Sequence, residues 1–382
     1  MQTISLKETI PSEIAVEGAF GYDIRPEGLG IRRLPDWTRP YVPQGLEVML
    51  KMASGVRLRL NTNATKIGID AVTTSMGFRP NAKPFVRFDL QRNGHIDSQS
   101  IKPTNVIVPK PESPTQYEID RGTVETAWFS DSKNTGGNLE IWLPHNAYVS
   151  LQQIHIDGDL LPLEPEDRPR WVHYGSSISH CMEAESPSQT WPGVASRRAR
   201  FALTSLGFGG QCHLDPFVAR TIAQTSADLI SIKVGINVVN LDSMRERVFV
   251  PMIHGFLDTI REAHPSTQIC LVSPIFCPSA EDRPGPTIPN NDGKFETIEG
   301  FQQLRQGCLT LRRIRDILQE VVEIRRNQSD LCIDYFDGLN LFSEADQHLL
   351  PDHLHPNNEG YRLMGERFAD SYLSPKRPQI IG

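Results

Sequence analysis

The first half of the chain alternates apolar and polar residues over short stretches. Five such stretches lie at residues 56–60, 66–70, 85–90, 139–143 and 151–156. A period of two is typical of strands with one face buried. The pairs Asn93-Gly94 and Asp157-Gly158 follow two of them and favour tight turns. Short strands without a convincing helix predict a β-sandwich, all-β and jelly-roll-like.

The second half alternates strand-like apolar runs with helical ones. The apolar runs lie at residues 171–174, 201–205, 228–234, 268–276 and 331–336. One helical stripe has apolar residues at three- and four-residue spacing: Phe301, Leu304, Cys308, Leu311, Ile314 and Leu318. Residues 277–294 contain four prolines and are predicted to be the longest loop. Alternating strands and helices predict an α/β domain with a parallel sheet covered on both faces.

Residues 161–170 separate the two patterns. This segment is rich in proline and charge, which disfavours a continuing strand. We therefore predict a β-sandwich domain over residues 1–165 and an α/β domain over residues 166–382. A length of 382 residues fits two domains.

Charge and hydropathy narrow the classes of partner. The formal net charge of −7 argues against a nucleic-acid partner, because such proteins usually carry a basic surface. No apolar run is long enough to span a bilayer, so we expect no membrane partner. Residues 1–20 lack the basic start and apolar core of a secretory signal, and a cytoplasmic location is expected. The sequence does not predict the oligomeric state.

The cysteines show no metal-site or disulfide-framework spacing. All six lie in the predicted α/β domain and none forms a CxxC pair. We predict six free thiols: Cys181, Cys212, Cys270, Cys277, Cys308 and Cys332.

Candidate chemistry lies just beyond the predicted strands of the second half. Four segments hold small or polar residues there: 175–179, 207–210, 235–237 and 352–356. Parallel α/β sheets place their functional sites at the carboxyl ends of the strands. We therefore expect these four segments to meet at one edge of the sheet.

The four segments, in this order, resemble the SGNH hydrolases, also called the GDSL esterase family. The resemblance implies that Ser177 is the nucleophile and that Asp352 and His355 complete a catalytic triad. It implies that the oxyanion hole is formed by Ser177, Gly210 and Asn237. The family's catalytic domain is a flavodoxin-like three-layer α/β/α sandwich, and its chemistry requires no metal and no organic cofactor.

Two positions depart from the family pattern. The aspartate that usually precedes the nucleophile is Ser176 here, and the residue after Asn237 is Val238 where the family usually has aspartate. Neither missing group belongs to the triad. We expect both changes to make the rim of the active site less charged.

Each candidate residue also has a structural interpretation. Ser177 alone would be read as a serine that caps the following helix, although Ser176 or Ser179 is the more credible cap. The Asp352–His355 segment is also compatible with a solvated loop. A metal site there would need His348 and His353 as well, and no second cluster supplies further ligands. Glycines 207, 209 and 210 are also expected in a turn that needs positive φ.

Further aromatic and histidine residues have weaker signals. His213, Trp191 and Phe276 are candidates for lining the substrate pocket, although such residues are more often simple packing residues. His173 and His180 flank the nucleophile, and on the wrong face of the strand they would be buried and inert. In the first domain, an aromatic platform for sugars would consist of Trp37, Tyr41, Trp128 and Trp142. Core packing is the competing explanation.

The sequence supports three functions. The first is a serine esterase acting through an acyl-serine intermediate on a carboxylic ester, such as an O-acetyl or other O-acyl group of a sugar or small metabolite. The second is an acyltransferase of the same fold that passes the acyl group to an alcohol of a natural product or sugar. The third is a carbohydrate-binding protein with an inactive esterase domain. A β-sandwich before an SGNH domain resembles some carbohydrate esterases and an acyltransferase-like subgroup, in which the extra domain is carbohydrate-binding-like and accessory.

Overall fold

The computed structural model describes residues 1–77, 85–110, 113–130, 137–298 and 302–374. The chain divides into two compact units. Unit 1 comprises residues 1–167 with 186–188, and unit 2 comprises residues 168–185 with 189–382.

Over the residues that the structure describes, unit 1 consists of strands with one short α-helix. The strands are β1 (Gln2–Ser5), β2 (Ile14–Glu17), β3 (Gly21–Arg25), β4 (Gly28–Arg32), β5 (Arg57–Thr62), β6 (Lys66–Met76), β7 (Val86–Arg92), β8 (His95–Ile101), β9 (Asn105–Lys110), β10 (Ser113–Arg121), β11 (Thr126–Ser130), β12 (Asn138–Trp142), β13 (Ala147–Ile156) and β14 (Leu160–Leu161). Helix α1 spans Gln44–Leu50, and a 3₁₀ helix spans Asp36–Tyr41.

These strands form two sheets. One has the order β10-β9-β6-β13-β4-β3, with β1 also paired to β13 and β11 to β6. The other has the order β14-β5-β12-β7-β8, with β2 also paired to β5. All described pairings in unit 1 are antiparallel except that of β6 with β9.

The core of unit 1 lies between the two sheets. Leu58 and Ile141 of one sheet belong to the same buried cluster as Ile69 and Leu151 of the other. Period-two alternation directs these side chains to one face of each strand. The Asn93-Gly94 turn joins β7 to β8, and both residues have positive φ, as a two-residue hairpin turn requires. The predicted β-sandwich is confirmed.

Unit 2 is built on a parallel sheet. Its strands are β15 (Arg170–Gly175), β16 (Ala202–Gly207), β17 (Leu229–Lys233), β18 (Gln268–Val272) and β21 (Ile333–Phe336), in the order β16-β15-β17-β18-β21. This is the flavodoxin-like order, with the switch point beside β15. Two short strands, β19 (Thr287–Pro289) and β20 (Phe295–Thr297), pair separately.

Helices surround this sheet. They are α2 (Ser177–His180), α3 (Trp191–Ala199), α4 (Pro216–Ala223), α5 (Ile236–Asn240), α6 (Glu246–Ala263), α7 (Leu311–Asn327) and α8 (Asn358–Phe368). Short 3₁₀ segments lie at Pro187–Gln189, Gln302–Leu304, Gly338–Asn340 and Glu344–Leu349, and a π-helical turn spans Ala369–Leu373.

Strand β15 shows that both faces of the sheet are covered. Trp171 stacks on Phe368 of α8, with ring centroids 5.4 Å apart. Tyr174 stacks on Phe256 of α6, with centroids 5.2 Å apart. Residues three apart on a strand point to opposite faces, so α8 and α6 lie on opposite sides. The predicted three-layer arrangement is confirmed.

Two predicted element boundaries were wrong. The predicted strand 268–276 ends at Val272, because Pro274 has no N–H for a sheet ladder. The helix predicted to begin near residue 301 begins at Leu311, where the Thr310 hydroxyl accepts a hydrogen bond from the Arg313 N–H. Leu304 is exposed instead of lying in a stripe, and Phe301 falls outside the described residues.

Within the described ranges, no helix is both long and apolar enough to cross a bilayer.

Candidate active site

Ser177 is held at the carboxyl end of β15 by a tight turn. It is the first residue of α2, and the preceding Ser176 caps that helix by accepting a hydrogen bond from the Ile178 N–H. The helix lies directly on the strand ends. A Cβ at Gly175 would come 2.2 Å from the Ser179 hydroxyl, and one at Gly207 would come 2.6 Å from the backbone of His180. Glycine at these two positions is therefore what allows α2 to approach the sheet.

A continuous hydrogen-bonded chain joins Ser177, His355 and Asp352. The Ser177 Oγ lies 3.0 Å from His355 Nε2, and His355 Nδ1 lies 2.7 Å from Asp352 Oδ2. A carboxylate only accepts, so Nδ1 carries a proton and Nε2 is left to accept from the serine hydroxyl. The three residues, 178 positions apart at their extremes, are therefore brought together as the sequence predicts.

The loop that carries Asp352 and His355 is fixed by the carboxylate itself. Asp352 Oδ1 accepts hydrogen bonds from the backbone N–H groups of Leu354 and His355, at 2.9 and 2.7 Å. His353 between them has a φ of 65°. The turn is thus closed by side chain to backbone bonds, which direct the imidazole toward Ser177.

Burial and charge act in opposite directions on this pair. Burial disfavours ionisation of both groups. For Asp352, hydrogen bonds from His355 outweigh burial, and its pKa lies below the usual value. For His355, the hydrogen bond to Asp352 and the charges of Glu183 and Asp352 outweigh burial, and its pKa is raised. The pair therefore favours a carboxylate beside an imidazole that binds a proton readily.

The predicted oxyanion donors lie on neighbouring strand exits. Asn237 is buried on α5, and its Oδ1 accepts a hydrogen bond from the Cys212 N–H at 3.0 Å. This contact fixes the amide orientation and leaves Nδ2 as a donor. Gly210 has a φ of 68°, in a turn that begins where β16 ends. Among the described residues, no hydrogen bond involves the N–H of Ser177, the N–H of Gly210 or Asn237 Nδ2.

His213 supports the glycine turn. Its Nε2 lies 3.2 Å from the Gly210 carbonyl oxygen, and its Nδ1 lies 3.0 Å from the Ser243 hydroxyl. Burial lowers the pKa of His213, which favours the neutral ring that both contacts suit. Its ring is thus hydrogen-bonded to the turn that holds one oxyanion candidate.

The expectation about the rim was wrong. Ser176 is 1% exposed and Val238 is fully buried. Ser176 serves as the helix cap, and Val238 packs inside unit 2. Because neither side chain is at the surface, the two departures from the family pattern do not change the charge of the rim.

Several weaker candidates belong to the core. Trp191 is fully buried and packs against Trp171 and His173, so its interpretation as a pocket residue is wrong. His173 is buried, bonded to Ser231 and Ser179, and burial lowers its pKa to about 3. His180 is also fully buried. Phe276 is half-buried, and its assignment to the substrate pocket stays a prediction.

The four aromatic residues proposed as a sugar platform do not share a surface. Trp142 is buried on β12, donates to Gln91 and lies under Arg57. Trp128 lies on β11 of the other sheet, where its ring covers Gly68. Trp37 and Tyr41 belong to the 3₁₀ helix at Asp36–Tyr41. A joint platform of these four residues is therefore wrong.

The metal alternative lacks a ligand cluster. Over the described part of the chain, no group of three or more His, Cys, Asp or Glu side chains is arranged to hold a metal ion. His348 instead contacts the backbone oxygen of Ala345 at 3.2 Å. All six cysteines are free thiols, as predicted.

Sequence reasoning missed two neighbours of His355. The Glu183 carboxylate lies 4.0 Å from His355 Nδ1. The Phe295 ring contacts the imidazole edge to face, with ring centroids 5.6 Å apart. The backbone N–H of Phe295 donates to the Asp352 carbonyl oxygen at 2.8 Å. Phe295 follows the proline-rich segment that was predicted to be a loop, and Glu183 stands in no motif.

Comparison with known proteins agrees with this geometry. The family model described as GDSL-like lipase/acylhydrolase matches residues 173–363, half of the chain. No curated protein matches the chain.

Solved structures resemble the chain over nearly its full length. The salicylyl-acyltransferase SsfX3 from a tetracycline biosynthetic pathway is 25% identical, with a TM-score of 0.77 and coverage of 96% of this chain and 95% of that one. A protein described as a GDSL-like lipase from Bacteroides ovatus is 17% identical, with a TM-score of 0.67 and the same coverage. A family two carbohydrate esterase from Clostridium thermocellum is 14% identical, with a TM-score of 0.58 and coverage of 94% and 97%. The last two show a shared fold alone.

The ordered strand exits, the Ser177–His355–Asp352 chain and the family match over residues 173–363 lead to one conclusion: the chain belongs to the GDSL-like lipase/acylhydrolase family.

Proposed function

We propose that the protein is a serine esterase that cleaves a carboxylic ester through an acyl-serine intermediate. The observation that carries this proposal is the hydrogen-bonded chain from Ser177 through His355 to Asp352. A serine hydroxyl needs a base within hydrogen-bond reach and a group that orients the base. Both requirements are met within 3.0 Å.

The first half of the reaction forms the acyl-enzyme. Ser177 Oγ attacks the ester carbonyl carbon while His355 Nε2 takes the hydroxyl proton. The carbonyl oxygen becomes negative and accepts from the Ser177 N–H, the Gly210 N–H and Asn237 Nδ2. When the carbonyl reforms, the bond to the alcohol oxygen breaks and His355 returns its proton to that oxygen. Asp352 stabilises the imidazolium between the two proton transfers.

The second half removes the acyl group from Ser177. A water molecule gives its proton to His355 and attacks the acyl carbon, and Ser177 Oγ leaves with that proton. The products are a free acid and the original hydroxyl. None of these steps uses a metal or an organic cofactor.

Turnover of a short-chain aryl ester tests the proposal. Ser177→Ala removes the attacking oxygen, and we expect turnover to fall to background. Ser179→Ala is the matched control, since Ser179 is a serine of the same helix bonded to His173 and not to His355. Full turnover by Ser177→Ala, with its fold intact, would overturn the proposal.

A second candidate is transfer of the acyl group to an alcohol. It is favoured by the 25% identity to a salicylyl-acyltransferase over almost the whole chain. Here a sugar or natural-product hydroxyl replaces water in the second half. Measuring free acid against transferred ester, with candidate alcohols present, separates the two. Excess transferred ester would assign a transferase.

We further propose that residues 1–165 form an accessory domain and residues 166–382 the catalytic domain. The triad and oxyanion candidates all belong to unit 2. An accessory, carbohydrate-binding-like role for the first domain fits an O-acyl sugar or small metabolite as substrate. The intact serine–histidine–aspartate chain favours an active enzyme over an inactive esterase domain. The cytoplasmic location remains a prediction.

A further inference from the structure

Glu183 places a second carboxylate beside the imidazole of His355. It lies in the loop that follows α2, and its Oε1 is 4.0 Å from His355 Nδ1. The same nitrogen donates to Asp352 at 2.7 Å. One ring nitrogen therefore faces two acidic groups, one from its own turn and one from the loop after the nucleophile.

The position of Glu183 is set by a buried tyrosine. The Tyr361 hydroxyl donates to Glu183 Oε2 at 2.8 Å, and Tyr361 is fully buried on α8. Burial raises the pKa of Tyr361 well above its ordinary value, so its hydroxyl stays a donor. The bond occupies one oxygen and leaves the other toward His355.

A second contact holds the same loop to the same helix. The Glu185 N–H donates to Asn358 Oδ1, and Asn358 Nδ2 donates to Glu185 Oε2, both at 3.1 Å. Glu183 is thus built into a loop fixed at two points. Its side chain is 39% exposed, against 13% for His355, so the carboxylate keeps contact with water.

We propose that Glu183 is a positioning residue that acts through His355. The Glu183 carboxylate, held by Tyr361, stabilises the His355 imidazolium that forms when Ser177 gives up its proton. This inference rests on the proposed esterase function. The groups that act on the ring are Asp352 and Glu183 by charge, Ser177 by its hydroxyl and Phe295 by its ring edge. Glu183 therefore assists the transition state through His355 without contacting substrate.

The pH dependence of kcat/KM tests the proposal. The base works only when His355 is neutral, so activity is lost as pH falls through its pKa. Glu183 raises that pKa, and Glu183→Gln should move the acid limb down by about half a pH unit, given partial screening by water. The value of kcat/KM on the plateau above the acid limb should fall about threefold in Glu183→Gln, the factor that corresponds to half a pH unit. Glutamine keeps an oxygen for the Tyr361 hydroxyl, so the loop is retained.

Matched variants separate charge at this position from general effects. Glu185→Gln removes the same charge two residues away and should leave the acid limb in place. Glu183→Asp keeps the negative charge, and the acid limb of its kcat/KM profile should lie at a pH between those of the wild type and Glu183→Gln. Tyr361→Phe releases the carboxylate and should give a smaller downward shift, and this variant carries the test if Glu183→Gln does not fold.

The outcomes distinguish this inference from the esterase proposal. An unmoved limb in Glu183→Gln, or an equal shift in Glu185→Gln, overturns the role of Glu183. If Ser177→Ala is inactive and the acid limb of Glu183→Gln is unmoved, only the inference about Glu183 fails. If Ser177→Ala retains turnover, the esterase proposal fails first.

Discussion

Two of the serine–histidine pairs in unit 2 have similar distances and different surroundings. His173 Nε2 lies 2.8 Å from the Ser179 hydroxyl, and His355 Nε2 lies 3.0 Å from the Ser177 hydroxyl. Behind the ring, His173 meets the Ser231 hydroxyl, whereas His355 meets the Asp352 carboxylate. The first pair is sealed inside the domain, and the second lies at the carboxyl edge of the sheet.

The contrast shows that a serine beside a histidine is not enough for a nucleophile. Burial lowers the pKa of His173 to about 3, with a smaller contribution from the charge of Lys233, so its ring does not take up a proton near neutral pH. Partial burial acts on His355 in the same direction, but two carboxylates outweigh that effect and raise its pKa. The charge behind the ring therefore decides which pair can do acid–base chemistry.

The largest expected effect comes from a substitution that makes the Ser177–His355 pair resemble the buried Ser179–His173 pair. Asp352→Asn removes the charge behind His355 and allows the wrong tautomer. We expect kcat for a short-chain ester to fall about 10³- to 10⁴-fold, as when the acid of a serine triad is neutralised. Steady-state kinetics measure it, and a loss below tenfold would show that Asp352 does not orient the base.

Next in size is the loss of the side-chain amide donor that we propose for the oxyanion hole. Asn237→Ala should lower kcat by about 10²- to 10³-fold. Because Asn237 also accepts from the Cys212 N–H, Asn237→Asp is the matched variant: it keeps the acceptor and loses the donor. Near wild-type activity of Asn237→Asp would remove Asn237 from the oxyanion hole.

A smaller effect is expected in the buried pair, and it concerns stability. His173→Gln should leave kcat within tenfold of wild type. It should lower the free energy of unfolding by about 1–3 kcal/mol through loss of buried hydrogen bonds. Chemical denaturation with activity assays of the folded variant measures both. Loss of turnover as large as that of Asp352→Asn would contradict the comparison.

The same variant has a pH signature. The folded-state pKa of His173 is about 3, below its usual value, so between about pH 6.5 and 3 the unfolded chain binds a proton that the folded one does not. Stability therefore falls as pH falls through this window, by about 1.4 kcal/mol per pH unit from this group. His173→Gln should show a shallower decline. Equal slopes would mean that His173 is protonated in the fold.

Local patterns predicted most of the sheet and the segments at its strand ends, whereas the family resemblance predicted the candidate triad. The five apolar runs of unit 2 became parallel strands, and their exits carry Ser177, Gly210 and Asn237, because a strand's carboxyl end is readable from a run followed by small residues. The Asp352–His355 block needed the family resemblance to be placed opposite Ser177.

Features that depend on distant packing were not predictable. Glu183 is positioned by Tyr361, 178 residues later in the chain, and no local spacing records that contact. Ser176 and Val238 were expected at the rim, but exposure depends on how the strand ends are covered. The prediction that a helix begins near residue 301 was wrong, because Thr310 caps a helix that begins at Leu311.

Trapping with a fluorophosphonate followed by peptide mapping tests the central claim most directly. The reagent reacts with a serine oxygen only where a base activates it. Ser177 and Ser179 lie in the same peptide and both contact a histidine, so fragmentation must resolve them. We predict stoichiometric label on Ser177 and none on Ser179. Label on Ser179, or no label on Ser177 in folded protein, would contradict the account.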